Sequence, residues 1–127
     1  MFFCRSLRFT IFAAKNKSME FFKETTFSVT VCDKDGKILD MNDRSIKTFV
    51  KDGKSIIGQS LFDCHPEPAK TKLQELLQNH NLNVYTIEKK GIKKMIYQSP
   101  WFEDGEFMGY IELSMELPAE LPHFVRK

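Results

Sequence analysis

Apolar residues occupy every second position from Phe27 to Val31, and small or polar residues fill the positions between them. This period-two pattern predicts a strand with one buried face. The sequence DKDG that follows is typical of a turn in which Gly36 takes a positive φ, and KILDM then favours a second strand. A β-hairpin is therefore predicted here, after a short helix over SMEFFKET that Ser18 would cap.

A spacing of three to four residues replaces the alternation after this hairpin. Asn42 and Asp43 are suited to cap a short helix over RSIKTFV. A longer helix is predicted from Pro66 onward, because Pro66 and Pro68 fit only the first turn of a helix, and Asn81 suits its end. The apolar face of this helix is predicted to contain Ala69, Leu73, Leu76, Leu77 and His80.

The last third of the chain alternates again. NVYTIEKK, IKKMIYQSPWF and FMGYIELSMEL predict three strands, which are separated by turns at Gly91 and at EDGE. In the final strand the pattern predicts a buried face with Phe107, Gly109, Ile111, Leu113, Met115 and Leu117, and a solvent face with Glu112, Ser114 and Glu116. This order of elements predicts the α+β class, with an antiparallel sheet and helices on one face.

Composition limits the classes of function. The chain has 127 residues, of which 42% are hydrophobic and 28% are charged, as expected for one domain with a single core. A formal net charge of +2 argues against a nucleic-acid surface, and we expect the lysines of EKKGIKKM to form a solvated hairpin tip. Cys4, Cys32 and Cys64 are odd in number and far apart. Neither a disulfide framework nor a zinc site is therefore predicted, and the cytoplasm is the expected location.

The opening stretch MFFCRSLRFTIFAAK is apolar but unlike a signal peptide, because Arg5 and Arg8 interrupt the apolar run. No segment reaches the roughly 20 apolar residues that span a bilayer, so no membrane association is expected. We expect residues 1–19 to form a flanking segment, either helical or the product of an upstream start codon, with Met19 as the natural start. Residues 20–118 would then form the domain and residues 119–127 a C-terminal tail.

Several stretches in this order and spacing resemble a PAS domain, over about residues 20–117. They are VCDKDGKILDMN, IIGQSLFD, the helix EPAKTKLQELLQ, and the final hairpin with Asp104 and Gly105 in its last turn. The tripeptide CHP after Gly58 is similar to a subset of bacterial PAS domains. The resemblance implies a five-stranded antiparallel sheet with helices on one face and an N-terminal flanking helix.

In function, the resemblance implies a non-catalytic sensory or protein-interaction module of signal transduction. Such domains commonly form homodimers through the flanking helix and act on a signalling partner protein. They enclose a pocket for haem, flavin or a small organic molecule, and the sequence assigns no cofactor among these. By analogy the pocket lies between the segment 49–77 and the inner face of the later strands. Its candidate residues are Asn42, Phe49, Phe62, Cys64, His65, Leu73, Leu77, Tyr85, Tyr97 and Ile111.

Three of these candidates have competing interpretations. Asn42 suits a helix cap as well as a ligand contact. Cys64 suits a small core residue, or a nucleophile if a base lies within reach of its sulfur. A flavin-adduct role for Cys64 is disfavoured, because Asp63 and HPEP differ from the motif of light-sensing relatives. If haem is bound, His65 and His80 are the candidate axial ligands.

Overall fold

The computed structural model describes residues 19–52 and 54–127, so most of the predicted flanking segment lies outside the described residues. In chain order the elements are a 3-10 turn (Met19–Phe22), β1 (Ser28–Asp33), β2 (Ile38–Met41), α1 (Asp43–Phe49), α2 (Leu61–Cys64), α3 (Ala69–Asn79), β3 (Asn83–Lys89), β4 (Ile92–Glu103) and β5 (Glu106–Leu117). The five strands form one antiparallel sheet in the order β2-β1-β5-β4-β3. The predicted α+β class is confirmed.

The helix ends follow from local chemistry. Asn42 caps α1 as predicted, because its side-chain oxygen accepts a hydrogen bond from the Ser45 N–H. The predicted end of α3 is one residue too late. His80 takes the left-handed conformation (φ 59°), and its N–H donates to the Leu76 carbonyl. His80 therefore ends the helix instead of extending its apolar face.

The helices α1 and α3 contact the same side of the sheet. The hydroxyls of Thr30 in β1 and Ser45 in α1 share a hydrogen bond. The Tyr110 hydroxyl in β5 donates to the carbonyl of Leu76 in α3. Thr30 lies directly opposite Glu112, and opposed residues of paired strands share a face. Glu112 shares this face with Tyr110, because the two residues are two positions apart on β5. We call this side, with Tyr110, Glu112 and Ser114, the helix-facing side, and the other the outer side.

The predicted orientation of β5 is wrong. Ile111 lies on the outer side, together with Leu113, Met115 and Leu117, and the more polar series from Tyr110 faces the helices. Phe107 lies on the helix-facing side, because a bulge interrupts the alternation. Phe102 pairs with Phe107 but Trp101 pairs with Gly109, so β5 contains one extra residue at this point. Periodicity identified an apolar face, but it could not identify which face the helices cover.

One cluster of the core lies under α3. Cys32, Leu76 and Tyr110 are buried together, and Leu61, Leu77 and Phe107 pack against them. The His80 ring stacks on Phe107, with ring centroids 3.6 Å apart and planes 9° apart. The end of α3 is therefore held by ring packing as well as by the Tyr110 hydrogen bond.

Candidate functional site

Asn42, the first of the predicted pocket residues, has a structural role. It is buried, and its side-chain oxygen accepts from the N–H groups of Val29 (2.9 Å) and Ser45 (3.0 Å). Its amide nitrogen lies within 3.0 Å of the Phe22 carbonyl, the Thr25 hydroxyl and the Phe27 carbonyl. Protein groups thus occupy both polar atoms, and none is left for a ligand. The helix-cap interpretation accounts for this residue.

Two predicted pocket residues lie on the wrong side of the sheet. Tyr97 pairs with Leu113, and Ile111 pairs with Ser99 and Val31, so both project from the outer side. Both would line the pocket only if the helices covered the apolar face of β5, and the helices cover the opposite face. Tyr97 is 38% exposed and Ile111 is half-buried.

Among the other apolar candidates, Phe62 and Leu77 come together beside Gly36. Leu77 packs on the core, and Leu73 is half-buried on α3. Phe62 lies so close to Gly36 that a Cβ at position 36 would be 2.9 Å from its ring. Phe49, at the end of α1, keeps half of its surface exposed. Phe62 and Leu77 therefore serve packing.

Cys64 and His65 do not form a catalytic pair. The Cys64 thiol is exposed and donates to the Ser60 carbonyl at 3.7 Å. His65 donates from Nδ1 to the Leu61 carbonyl at 2.7 Å. No base of a described residue forms a hydrogen bond with the Cys64 sulfur, so the arrangement that activates a thiol nucleophile is missing from the described part of the chain. The prediction of Cys64 as a core residue is also wrong, because its side chain is at the surface.

The two candidate haem ligands are engaged in contacts within the protein. His80 is exposed and stacks on Phe107, and His65 bonds a backbone carbonyl. The helix-facing side of the sheet presents Glu112 and Gln98, which do not suit a large apolar ring. These residues do not fit haem. Among the described residues, no group of three or more histidine, cysteine and carboxylate side chains could hold a metal ion.

A polar row that the sequence did not reveal crosses the helix-facing side. Asn83 in β3 donates to Gln98 in β4 at 2.7 Å, and Gln98 donates to Glu112 in β5 at 2.7 Å. The three residues occupy one register row, which continues to Thr30 in β1. Only the strand register aligns them, so no local motif could have identified the row. Its carboxylate stands on the central strand of the sheet.

Tyr85 borders this row. It lies on the same side as Asn83, two residues along β3, and burial together with the charge of Glu112 raises the pKa of its phenol. Glu112 makes no ion pair with any residue that the structure describes. The row therefore contains a half-buried carboxylate whose hydrogen-bond partner is a neutral amide.

The helices leave the sheet beside this row open. Tyr85 and Ile87, both on the helix-facing side, keep 43% and 44% of their surface exposed. Two shallow grooves of about 210 and 270 Å³ lie elsewhere, beside the start of α1. The residues that line them are Glu20, Lys23, Glu24, Thr25, Asp40, Met41, Asn42, Asp43, Arg44, Ile46 and Lys47. The accessible carboxylate row, and not these grooves, coincides with the predicted ligand side. No helix in the described ranges is long and apolar enough to span a bilayer.

Residues 22–80 match the family model described as the PAS fold. None of the curated proteins is significantly similar in sequence to this chain. Among solved structures, the C-terminal domain of a Streptococcus mutans protein is similar with a TM-score of 0.63 at 17% identity, over 80% of this chain and 83% of that one.

Two further structures extend this likeness. The PAS domain of BvgS from Bordetella pertussis has a TM-score of 0.60 at 19% identity, over 80% of this chain and 88% of that one. A receptor from Vibrio cholerae, described as a dual PAS-heme oxygen sensor, has a TM-score of 0.58 at 14% identity, over 73% of this chain and 96% of that one. Because all three sequences are less than 20% identical to this chain, the structural likeness shows the fold alone.

Proposed function

This chain has the PAS fold, and we propose that it serves as a non-catalytic sensory module of signal transduction that receives its signal as a small organic molecule. The observation that carries the proposal is the row Asn83–Gln98–Glu112 on the helix-facing side of the sheet. We further propose that the module acts in the cytoplasm, through a partner protein. The predicted dimer contact of residues 1–19 stays a prediction.

The chemistry of the row indicates the class of ligand. A half-buried carboxylate without a cation is costly in free energy unless a donor offsets the loss of water. Glu112 receives one neutral hydrogen bond from Gln98 and makes no ion pair with a described residue. A ligand with a protonated amine would supply both the missing charge and additional donors. Tyr85 and Ile87 offer exposed apolar surface to the rest of the molecule.

The proposal is tested by thermal unfolding with three probes that share a phenol ring and differ in charge: tyramine, 4-ethylphenol and 4-hydroxyphenylacetate. A ligand that binds only the folded state raises the melting temperature. We expect the cationic tyramine to raise it more than the neutral and anionic probes. Glu112→Gln should abolish this difference, because it removes the charge and keeps the shape.

Glu106→Gln is the matched control, since Glu106 is an exposed carboxylate on the same strand. It should leave the tyramine response intact. Equal responses to the three probes in the wild type would overturn the proposal. An unchanged tyramine response in Glu112→Gln would overturn the assignment of the carboxylate.

A further inference from the structure

The two edges of the sheet differ in how they are covered. At the β2 edge, the Ile38 N–H donates to the Gln59 carbonyl at 2.9 Å, and the Gly58 N–H donates to the Ile38 carbonyl at 2.8 Å. An isolated bridge between Lys37 and Ser60 extends this cover. At the other edge, β3 pairs with β4, and no other segment of the described chain bonds its backbone. As far as the described residues are concerned, the outward backbone groups of β3 are therefore open to another strand.

The β3 edge also lacks two of the features that prevent pairing between molecules, a proline and a bulge. Its seven residues, NVYTIEK, contain no proline, and its register with β4 has no bulge. Val84, Tyr85 and Ile87 keep 44%, 43% and 44% of their surfaces exposed, on both sides of the strand. Charge is confined to Glu88 and Lys89 at one end. Such an edge favours the addition of a strand.

The sequence of β3 is complementary to itself when two copies pair in antiparallel orientation about Thr86. Tyr85 then lies opposite Ile87 of the second copy, an aromatic and β-branched pair that stabilises antiparallel sheets. Val84 lies opposite Glu88, and Asn83 opposite Lys89, so no like charges meet. All seven residues are paired in this register. A register centred on Glu88 or Lys89 would instead place like charges opposite each other.

From this complementarity we propose that two copies of the chain associate through their β3 edges, antiparallel about Thr86, to form one continuous sheet. The partner is a second copy of this chain, because the pairing needs no residue that the strand does not contain. The association requires neither the ligand proposed above nor the residues before Met19, and it uses the exposed surfaces of Tyr85 and Ile87 that border the ligand site.

Sedimentation velocity of the full chain, over a wide range of protein concentration, tests the association. We expect the wild type to form dimers. Thr86→Lys should shift the population to monomers, because two ammonium groups would meet at the centre of the pairing. Within one molecule, Thr86 is exposed and lies opposite Met95, so the fold should tolerate the lysine. Circular dichroism checks this.

Thr26→Lys is the matched control, since Thr26 is an exposed threonine outside the sheet, and it should leave the dimer intact. A wild type that stays monomeric at every concentration would overturn the proposal. A dimer that persists in a folded Thr86→Lys variant would do the same, since it would place the contact elsewhere.

Oxidative cross-linking tests the register separately. Opposed residues of antiparallel strands have Cα atoms about 4.5–5.5 Å apart, which a disulfide can join. Thr86→Cys should therefore form a cross-linked dimer through position 86. Glu88→Cys should not do so above the background of the native cysteines, because position 88 would oppose position 84. The reverse result would overturn the register about Thr86.

Discussion

The hydroxyl oxygen of Tyr110 in β5 lies 2.9 Å from the carbonyl oxygen of Leu76 in α3. The same hydroxyl lies 2.7 Å from the carbonyl oxygen of Asn81, just beyond the helix. The Leu76 carbonyl also accepts from the His80 N–H, so the Tyr110 hydroxyl adds a second donor at the last turn of the helix. This hydroxyl joins the end of α3 to the sheet, two residues before Glu112 on the same strand.

Tyr110→Phe should lower the free energy of unfolding by about 0.5–1.5 kcal/mol, because it removes the hydroxyl that joins the carbonyls of Leu76 and Asn81 to β5. Tyr97→Phe is the control, since this tyrosine is exposed on the outer side, and its effect should stay within about 0.5 kcal/mol. Urea denaturation measures both. Equal effects of the two substitutions would contradict the role given to the Tyr110 hydroxyl.

Alkaline pH should destabilise the protein. Burial raises the pKa of the Cys32 thiol and of the Tyr110 phenol, and the charge of Cys32 adds to the effect on Tyr110. Because folding favours the neutral form of each group, the stabilisation is complete below the pKa of the unfolded state and is lost as pH rises through the folded value. Those unfolded values are about 8.5 for cysteine and about 10 for tyrosine.

The contribution of these two groups to the free energy of unfolding should therefore be constant up to about pH 8 and fall above it. Urea denaturation at a series of pH values measures this fall. Cys32→Ala should weaken the early part of this fall, between the unfolded and folded pKa of the thiol. A profile that rises with pH over this range, or one that Cys32→Ala leaves unchanged, would contradict the assignment.

The fold was largely predictable because its signals are local. The strand alternation from Phe27, the turn at Gly36 and the cap at Asn42 each depend on a few neighbouring residues. The orientation of β5 was not predictable in the same way. One extra residue near Gly109 inverts the alternation, and the helices cover the more polar of two amphipathic faces. The row of Asn83, Gln98 and Glu112 depends on strand register, which periodicity does not encode.

Gly109 permits the close approach of β5 to β1. Its φ is +149°, and a Cβ at this position would overlap the carbonyl oxygen of Cys32 in the neighbouring strand. Gly109→Ala should therefore cost more than about 3 kcal/mol or prevent folding, because backbone atoms cannot move aside as a flexible side chain can. Thermal unfolding of the purified variant, or its recovery as soluble protein, provides the measurement.

Gly91→Ala is the control for Gly109→Ala. Gly91 also has a positive φ, of +78°, but a Cβ there would meet nothing within 4 Å. Its substitution should cost only the left-handed strain of about 1–2 kcal/mol. If both alanine variants were equally stable, the close contact with β1 would not require glycine at position 109.

Asn42→Ala should destabilise the domain whether or not a ligand is bound. It removes the cap of α1, leaves the buried Val29 N–H without this acceptor, and takes one donor from the part-buried carbonyls of Phe22 and Phe27. A cap contributes about 0.5–2 kcal/mol and each unsatisfied buried group about 1–3 kcal/mol, so a loss above about 2 kcal/mol is expected. Asn79→Ala, which removes one exposed hydrogen bond to the Asn81 N–H, should cost far less. If the two variants lost similar free energy of unfolding, the hydrogen bonds of Asn42 would not have the structural role given to them here.

Cys64 and His65 stand where α2 ends, and their environment predicts small effects of substitution. Cys64→Ala removes an exposed thiol with a 3.7 Å contact to a backbone carbonyl. His65→Ala removes one hydrogen bond to the Leu61 carbonyl from a half-buried ring. Each variant should keep its free energy of unfolding within about 1 kcal/mol of the wild type.

The same two variants separate the remaining interpretations of this pair. If Cys64 were an activated nucleophile, its reaction rate with iodoacetamide at neutral pH would exceed that of a model peptide thiol, and His65→Ala would lower it. We expect an ordinary rate that His65→Ala leaves unchanged, because the imidazole is directed to Leu61 and not to the sulfur. A Soret band after addition of haem that disappears in His65→Ala would contradict the conclusion that these residues do not fit haem. Absorption spectra of the two proteins therefore decide whether His65 acts only through the backbone carbonyl that it contacts.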